Sequence, residues 1–583
     1  MRFNRLALLL QIGAIILSAC GKDTGGNPWY NPDEPSDDGH DDDQADIRVL
    51  YNGIVLPDKW PPVGGNPASD AVPDVPYLGA SHPDVIPIDV GRQLFVDDFL
   101  IESTNLTREC HTAKKYVGNP ILKPESKLEV PSGHFKGAVP KDGGVWWEPR
   151  ENKFKMWYEA GWLNTMAYAT SKDGLSWDRP SINKNGTNEL LTLSDLVPNS
   201  CAVVLDYDAP DDQRYKMFFR QPNANSPDSK GKAMVSADGI TWTKRKDTGV
   251  CGDRSTMFYN PFRKKWVFSI RSVGALGPTN YGRTRYYRES SDFLEGATWE
   301  KSDPVFWCRA DRLDEQDPQI GLPAQLYNLN AVAYESIMLG LHQILVDENG
   351  VAMSAGRPKV TDLKVSFSRD GFHWSRPCRD AFIPSSRTVG AWDRGYVQSV
   401  GGICVVMGDQ LWFYYSGFRG NASRPGESAS LHDDSATGIA VIRRDGFCSM
   451  SGSGELTTVP VKFSGKYLFV NADCSDGELK VEILDEKGKV LPGFEVSACV
   501  AVSDNTTITR INWTGKSDLS ELVGKNVKFH FIQKNADFYS FWVSPSPKGE
   551  SMGYTAGGGP GFTSNIDNVG LDGYKVASFV TPL

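Results

Sequence analysis

Three aspartates of this 583-residue chain stand where a carboxyl group could transfer a proton. Asp142 lies in PKDGGV, Asp253 in CGDRST and Asp317 in the acidic stretch WCRADRLDEQDPQ. Two carboxyl groups that flank one bond can perform glycoside hydrolysis: one donates a proton to the leaving oxygen, and the other activates water or attacks the sugar. The sequence assigns Asp142 as base or nucleophile and Asp253 or Asp317 as the acid. A turn-capping or salt-bridged role is the alternative for each.

Residue types that bind sugars accompany these aspartates. Trp and Tyr stack on sugar rings, while Arg, Asn and carboxylates hydrogen-bond to hydroxyl groups. The predicted substrate-binding residues are Glu159, Trp162, Arg254, Arg271, Asn328 and Asp393. Trp162 would stack on a ring, and Arg254 and Arg271 would bind hydroxyl groups or an anionic group. Because Asp253 and Arg254 are adjacent, a structural ion pair is the alternative for them.

A repeated motif indicates the elements that must position these residues. SKDGLSW at 171–177 recurs as SADGITW at 236–242 and SRDGFHW at 368–374. Five units of four short strands can be aligned around it, which predicts a five-bladed β-propeller. The Asp-Gly pair fits the turn between the third and fourth strands, and the Trp fills the gap between blades. Asp173, Asp238 and Asp370 are therefore interpreted as structural.

Counting strand reversals divides the candidates between two faces. If each innermost strand starts at the funnel mouth, the loops from second to third strand and the blade connections lie there too. The first hairpins then lie on the far side, which removes Glu148, Asp206, Asp208 and Glu335 from the site. The starts of neighbouring innermost strands converge on the axis, where Asp142 and Asp253 could face one bond.

The fold prediction is all-β, with a second domain after the propeller. The propeller is predicted over 91–453, with QLFVDDFLI at 93–101 beginning its packed part and FCSMS as the last strand of blade five. A Pro-rich lead-in covers 47–90. Runs such as YLFVNAD and VKFHFIQ lack the repeat and predict a β-sandwich over 454–547, followed by a Gly-rich irregular tail over 548–583. Cys474 and Cys499 are candidates for a disulfide between strands of this region.

The first residues have the features of a bacterial lipoprotein. Arg2 and Arg5 precede the apolar run LALLLQIGAIIL, which ends in LSAC at Cys20. This predicts a signal peptide over 1–20 with lipid attached to Cys20; ordinary cleavage with loss of Cys20 is the alternative. Residues 21–46, with nine acidic residues and one lysine, predict a disordered tether. We expect a lipid anchor in the outer membrane of a Gram-negative bacterium, at the cell surface or the periplasmic face.

Composition and motif searches exclude several classes. Most of the net charge of −10 lies in the tether, and the nearly neutral remainder offers no basic face for nucleic acid. The chain contains no nucleophile elbow, P-loop, dinucleotide fingerprint or zinc-ligand spacing. The sequence therefore predicts no cofactor and no metal-ligand set, and leaves room for a structural metal ion in the funnel.

Four stretches resemble a known group of propellers. VGRQLFVDDFLIE, KFKMWYEAG followed by YATSKDGLSW, GDRSTMFYNPFRKKWVFSIR and QLYNLNAVAYESIMLG look like the five-bladed proteins related to glycoside hydrolase families 43 and 32. The resemblance covers about 90–453 and implies the fold and a carbohydrate substrate. Family 43 places an Asp in blade one, an Asp in blade two and a Glu in blade three. Asp142 matches the first by position, Asn199 and Ser200 open blade two, and Asp253 stands where the Glu is expected. The family 32 motif WMNDPNG is absent.

The sequence thus predicts a glycoside hydrolase acting on a poly- or oligosaccharide. One alternative is a non-catalytic glycan-binding surface lipoprotein. Another is a family 130-like phosphorylase, in which Arg254, Arg271 and Arg283 would hold phosphate. A sialidase is a further alternative, against which the shortened repeat motif argues.

Overall fold

Short strands, most of them paired antiparallel, are the main regular elements of the structure, a computed structural model that describes residues 48–196, 199–221, 229–272 and 282–576. The predicted signal peptide, Cys20 and the tether lie outside these residues. Within the described ranges no helix is both long enough and apolar enough to cross a membrane. The segment before the first blade carries β1 (Ile86–Pro87), β2 (Gln93–Leu94), β3 (Ile101–Thr104), β4 (Thr107–Cys110) and β5 (Lys114–Lys115).

Five blades follow, and they confirm the predicted five-bladed β-propeller. Blade one contains β6 (Ala138–Val139), β7 (Val145–Glu148), β8 (Lys153–Ala160) and β9 (Thr165–Ser171). Blade two contains β10 (Ala202–Leu205), β11 (Tyr215–Arg220), β12 (Lys230–Ser236) and β13 (Thr243–Val250). Blade three contains β14 (Thr256–Asn260), β15 (Lys265–Arg271), β16 (Thr284–Ser290) and β17 (Val305–Arg309). Blade four contains β18 (Gln325–Glu335), β19 (Ile337–Leu345) and β20 (Thr361–Ser368). Blade five contains β21 (Gly395–Ser399), β22 (Val405–Met407), β23 (Gln410–Phe418) and β24 (Ser435–Arg443).

The remaining strands are β25 (Cys448–Thr458), β26 (Val461–Lys462), β27 (Tyr467–Asp473), β28 (Glu478–Leu484), β29 (Asn505–Arg510), β30 (Lys528–Ser544) and β31 (Tyr554–Thr555). The α-helices are α1 (Phe293–Gly296), α2 (Asn349–Ser354), α3 (Ala429–His432) and α4 (Leu571–Val576). Single 3-10 turns lie at Pro76–Leu78, Leu191–Leu193, Asp211–Gln213 and Ser520–Leu522.

Blade five is completed from the N-terminal side. The outer strand β5 pairs with β24, with Lys115 opposite Ala440 and Lys114 opposite Val441. The prediction that FCSMS supplies this strand is wrong, because these residues begin β25, which pairs with β4 and β30. Joining strands distant in sequence within one blade closes the ring.

An eight-stranded antiparallel sheet lies beyond the propeller. Its central path is β29-β27-β30-β25-β3, and β2, β28 and β4 pair with it. The stretch 93–101, predicted to begin the propeller, therefore contributes β2 to this sheet, and Ile101 pairs with Thr458. Alternation of apolar and polar residues identifies a strand but not its partner. The region 454–547 supplies most of this sheet.

The repeated turns have the structure that the motif predicts. In each turn one oxygen of the Asp accepts two backbone N–H bonds of 2.7–2.8 Å, from the residues two and three positions on. The Gly has a φ of +77° to +83°, which glycine adopts without strain. Gly239 of blade two also lies against Trp157 of blade one, whose indole N–H donates to the Gly239 carbonyl at 2.6 Å. The motif therefore joins neighbouring blades.

Buried ion pairs fix the far side of the propeller. Arg92 contacts Asp445 at 3.0 Å, and Arg444 contacts Glu335 at 3.0 Å and Asp567 at 2.8 Å. These side chains are at most 1% exposed and join the lead-in, blade four, the end of blade five and the tail. Glu335 thus belongs to a structural network on the far side of the propeller, where counting strand reversals predicts it.

Cysteine pairing differs from the prediction. The disulfide joins Cys110 and Cys378, whereas Cys474 and Cys499 are free and buried. Cys474 follows β27, while Cys499 lies opposite Trp513 and accepts the Val481 N–H, so the two thiols are held beside different strands.

Candidate functional site

The funnel mouth is built where the innermost strands begin. At that point four blades carry a non-glycine residue with positive φ: Lys141 (50°), Ser200 (57°), Arg254 (59°) and Tyr396 (53°). In blade four the register of β18 on β19 shifts between Leu326 and Asn328. Such backbone is uncommon for L-residues and concentrates where side chains must be aimed at a site.

A tight turn places Asp142 at the start of blade one. The Gly143 N–H donates to the Pro140 carbonyl at 2.6 Å, and a β-carbon on Gly143 would collide with the carbonyl oxygen of Trp157. Glycine is therefore required where the turn crosses β8. The following strand, β7, runs on from Gly144, and the Asp142 side chain has no exposed surface.

Asp142 is held by an amide and a guanidinium. Asn328 Nδ2 donates to Oδ1 at 2.9 Å, and Arg254 Nη1 lies 2.7 Å from Oδ2. Burial disfavours the ionised carboxylate and raises the pKa of Asp142 to about 6, although the charges of Arg254, Arg285 and Lys141 oppose that shift. A carboxyl group in this position can carry a proton near neutral pH.

Asp253 has the opposite electrostatics. Its side chain is 27% exposed, it is paired with Arg271, and it accepts the Tyr327 hydroxyl at 2.8 Å. Burial alone would raise the pKa of this carboxyl, but Arg271, Lys359 and the Tyr327 hydrogen bond together hold that pKa well below its usual range. Asp253 is therefore ionised throughout the neutral range.

Consecutive residues of β18 bind the two carboxylates. Tyr327 donates to Asp253, and Asn328 donates to Asp142. In a regular strand successive side chains point to opposite faces. The register shift at Tyr327 interrupts that alternation at the place where both contacts form.

Two buried arginines make this arrangement rigid. Arg254 Nη2 donates to Gln343 Oε1 at 3.1 Å. Arg285 donates to the carbonyls of Arg254 and Tyr327, both at 2.6 Å, and to Asn328 Oδ1. Burial lowers the pKa of Arg285 to about 9, so it remains a cation at neutral pH. Side chains supported in this way keep a fixed geometry.

The predicted Glu159 and Trp162 lie at the mouth but already contact protein groups. Glu159 is 2% exposed, is paired with Lys141 at 2.6 Å and accepts the Leu163 N–H at 2.6 Å. The Trp162 ring stacks on His432 with centroids 4.0 Å apart, and Lys141 Nζ lies 3.7 Å from its centroid. Little of the indole face is left for a sugar.

Asp317 and Asp393 have other partners. Asp317 Oδ1 accepts the N–H groups of Gln319 and Ile320 at 2.9 and 3.1 Å, and its other oxygen is paired with Arg387. This is the turn-capping, salt-bridged role left open by the sequence. Asp393 accepts Lys115 Nζ at 2.6 Å and the Tyr415 hydroxyl at 3.0 Å. Among the described residues neither contacts Asp142 or Asp253.

An open pocket adjoins Asp253. Its cavity volume is about 740 Å³, and it is lined by Asp70, Arg271, Arg283, Arg309, Gln325 and Glu348, among others. Arg271 pairs with Asp253, and the Arg283 guanidinium lies 5.1 Å from the Tyr327 ring centroid, so two lining residues of the pocket contact the funnel site.

Several residues of this pocket were not predicted from the sequence. Glu348 follows β19 in the loop from second to third strand of blade four, which strand counting already places at the mouth. Gln325 is the first residue of the innermost strand β18. Arg309 ends β17, and Asp70 lies in the Pro-rich lead-in; no pattern in the sequence pointed to either. Lys359 and Tyr396, which surround the Tyr327 hydroxyl, were also missed.

Comparisons with known proteins give distant structural similarity. No family model matches the chain, and no curated protein matches it. Similar solved structures include an N-acetylgalactosamine deacetylase from F. plautii, at 15% identity and a TM-score of 0.38, covering 57% of this chain and 95% of that one. A thermostable family-43 glycoside hydrolase matches at 10% identity and a TM-score of 0.36, covering 53% and 89%. A third similar structure belongs to the GH130 family and is described with glycoside hydrolases that target β-1,2 mannosidic linkages in Candida mannan. It has 11% sequence identity and a TM-score of 0.36, and the match covers 58% of this chain and 96% of that one. At these scores the similarity assigns no activity to this chain.

Proposed function

We propose that the protein is a glycoside hydrolase whose reaction takes place at the funnel mouth. The observation that supports this most strongly is the pair Asp142 and Asp253, which are held by adjacent residues of one strand and have pKa values moved in opposite directions. Two carboxyl groups with separated pKa values are suited to act as acid and base in glycoside hydrolysis. The substrate is a poly- or oligosaccharide.

The electrostatics reverse the roles expected from the sequence. Asp253, ionised and partly exposed, acts as the nucleophile or as the base that activates water. Asp142, with its raised pKa, acts as the acid that protonates the leaving oxygen. Asp317, which caps a turn, has no part in the reaction.

Substrate access to Asp142 requires a local rearrangement. The side chain has no exposed surface, and Arg254 Nη1 lies 2.7 Å from Oδ2. Binding of the sugar therefore displaces the guanidinium of Arg254 from that oxygen. Loss of the nearby positive charge further favours the protonated carboxyl group, which is the form required for acid catalysis.

A second candidate function is glycan binding without cleavage. This binding function is favoured by the burial of Asp142 and by its ion pair with Arg254, because an acid that no substrate reaches cannot donate a proton. Asp253, Arg271 and the open pocket would then serve recognition alone.

Phosphorolysis is less well supported. Arg254 and Arg271 are paired with Asp142 and Asp253, and Arg283 is 3.4 Å from Glu348. Phosphate would have to compete with a carboxylate at each of these three cations.

A product screen tests these functions. Protein lacking residues 1–46 is incubated with plant, algal and mucin glycans, with and without phosphate, beside Asp142→Asn and Asp253→Asn. Release without phosphate that both substitutions abolish supports the hydrolase. Release only with phosphate supports a phosphorylase. Retardation in a glycan-containing gel without release supports the binding protein.

We also propose that lipid on Cys20 anchors the protein to the outer membrane. The basis is the LSAC sequence after the apolar run. Metabolic labelling with an alkyne-bearing palmitate tests it in the full chain. Label on the wild-type protein that is absent from Cys20→Ala is expected, and equal label on both proteins would contradict the proposal.

A further inference from the structure

The pocket beside Asp253 has three guanidinium groups at one end of blade three. Arg271 ends β15, Arg283 precedes β16 and Arg309 ends β17. In the sheet Arg271 lies opposite Arg285, and Arg309 lies opposite Thr284. The antiparallel pairing therefore brings the three arginines to the same edge of the blade.

These arginines differ in how they are paired. Arg271 is paired with Asp253, and Arg283 donates to Gln325 at 2.7 Å with Glu348 3.4 Å away. Arg309 donates to the Pro67 carbonyl at 2.8 Å, and no carboxylate among the described residues lies within ion-pair distance of it. Of the three arginines, Arg309 is therefore the one whose charge is not balanced by a neighbouring carboxylate in the described structure.

The arginines also have donors to spare. A guanidinium carries five N–H donors, and the contacts described for these side chains use one terminal nitrogen each: Arg271 Nη2, Arg283 Nη1 and Arg309 Nη1. The pocket's carboxylates, on Glu348 and Asp70, lie on exposed or half-exposed side chains, where water screens their charge.

We infer that this pocket accepts a sugar that carries a carboxylate or sulfate group, with Arg309 as the principal partner of that anion. A planar guanidinium matches the two oxygens of such a group by parallel hydrogen bonds, and unpaired donors supply them without breaking an existing ion pair. The inference rests on the proposed function, since it names the substrate class of the same funnel site: acidic glycans rather than neutral ones.

Matched pairs of ligands test it on the protein lacking residues 1–46. The first pair is a uronic acid oligosaccharide and its carboxyl-reduced form; the second is a sulfated oligosaccharide and its desulfated form. Affinity is measured by calorimetry, and sugar release is measured on the same samples. Each pair is prepared on several different sugar chains, so that the effect of the acidic group is separated from the effect of the sugar.

The acidic member of one pair should bind about tenfold or more tightly than its neutral partner, as expected for charge-assisted hydrogen bonds. The pair that responds identifies carboxylate or sulfate. Arg309→Gln should remove the preference, and Arg309→Lys should keep part of it. Arg288→Gln is the matched control, because Arg288 lies on β16 of the same blade but does not line the pocket.

The outcomes separate this inference from the proposed function. Cleavage of neutral members with no preference for acidic ones would overturn the inference and leave the hydrolase intact. Binding of acidic members without cleavage would keep the inference and support the binding protein. Equal affinity within every pair, or no binding of any member, would overturn the inference.

Discussion

Asp142 and Arg254 form an ion pair of 2.7 Å in which neither side chain is more than 2% exposed. The pair joins the starts of blades one and three across the funnel. Because both charges are removed from water, deleting either one leaves the other uncompensated, which typically costs about 3–5 kcal/mol. Removal of either partner alone should therefore destabilise the funnel as well as alter its electrostatics.

The raised pKa of Asp142 makes stability depend on pH. A carboxyl whose pKa rises to about 6 on folding stabilises the folded state at low pH, and this contribution is lost as pH rises towards 6. The free energy of unfolding of Asp142→Asn, taken relative to that of the wild type, should therefore increase by about 2–3 kcal/mol from pH 4 to pH 7. Denaturant unfolding of both proteins at each pH measures the difference. A difference that does not change with pH would show that Asp142 has an ordinary pKa.

Tyr327 should govern the ionisation of Asp253. Tyr327→Phe removes one hydrogen bond to the ionised carboxylate, so the pKa of Asp253 should rise and activity should fall at a higher pH on the acid side. The pH profile of sugar release measures this shift. Tyr396→Phe is the control, because that hydroxyl lies 3.1 Å from the Tyr327 hydroxyl and, within the described part of the chain, forms no hydrogen bond with Asp253. An equal effect of both substitutions would contradict the assignment.

The aspartates of the repeated turns should affect stability and not activity. Asp238→Ala leaves two backbone N–H groups without their acceptor and should lower the free energy of unfolding by about 2 kcal/mol. Asp247→Ala is the control: it removes an exposed ion pair with Lys232 and should change the free energy of unfolding by less than about 0.5 kcal/mol. Thermal unfolding and sugar release are measured together. Loss of activity in a folded Asp238→Ala protein would refute the structural role.

The disulfide ties strand β4 to the loop after blade four. Replacing Cys110 and Cys378 together by Ser should lower the free energy of unfolding by about 2–5 kcal/mol, whereas Cys474→Ser lacks this effect. The double variant is needed because the Cys448 sulfur lies 3.5 Å from that of Cys378 and can replace Cys110 as its partner. Peptide mapping of Cys110→Ser should detect the bond between Cys378 and Cys448; two free thiols there would contradict this geometry.

The repeat made the propeller predictable from sequence. Each SxDGxxW copy specifies a turn and an inter-blade contact, so five units could be aligned without knowledge of long-range pairing. The closure of blade five could not be foreseen, since β5 consists of two lysines with no apolar alternation. FCSMS and QLFVDDFLI were recognised as strands but given to the wrong sheet, because partner choice depends on tertiary packing.

The position of the site was more predictable than its electrostatics. Counting reversals placed Asp142, Asp253 and Arg271 at the mouth, where the structure has them. The burial of Asp142 depends on Arg254 and Asn328 from other blades, which no local pattern reveals. Glu348 was missed although its loop was already assigned to the mouth, because a single acidic residue in a turn has no distinctive signal.

The central claim is that Asp253 takes part directly in cleavage of a glycosidic bond. The most direct test is the rate of sugar release by Asp253→Asn on the glycan that the wild type cleaves, with Asp208→Asn on the far side as a matched control. We expect a loss of about 10²–10⁴-fold in Asp253→Asn and a near wild-type rate in the control. Equal rates for the wild type and Asp253→Asn would contradict the account.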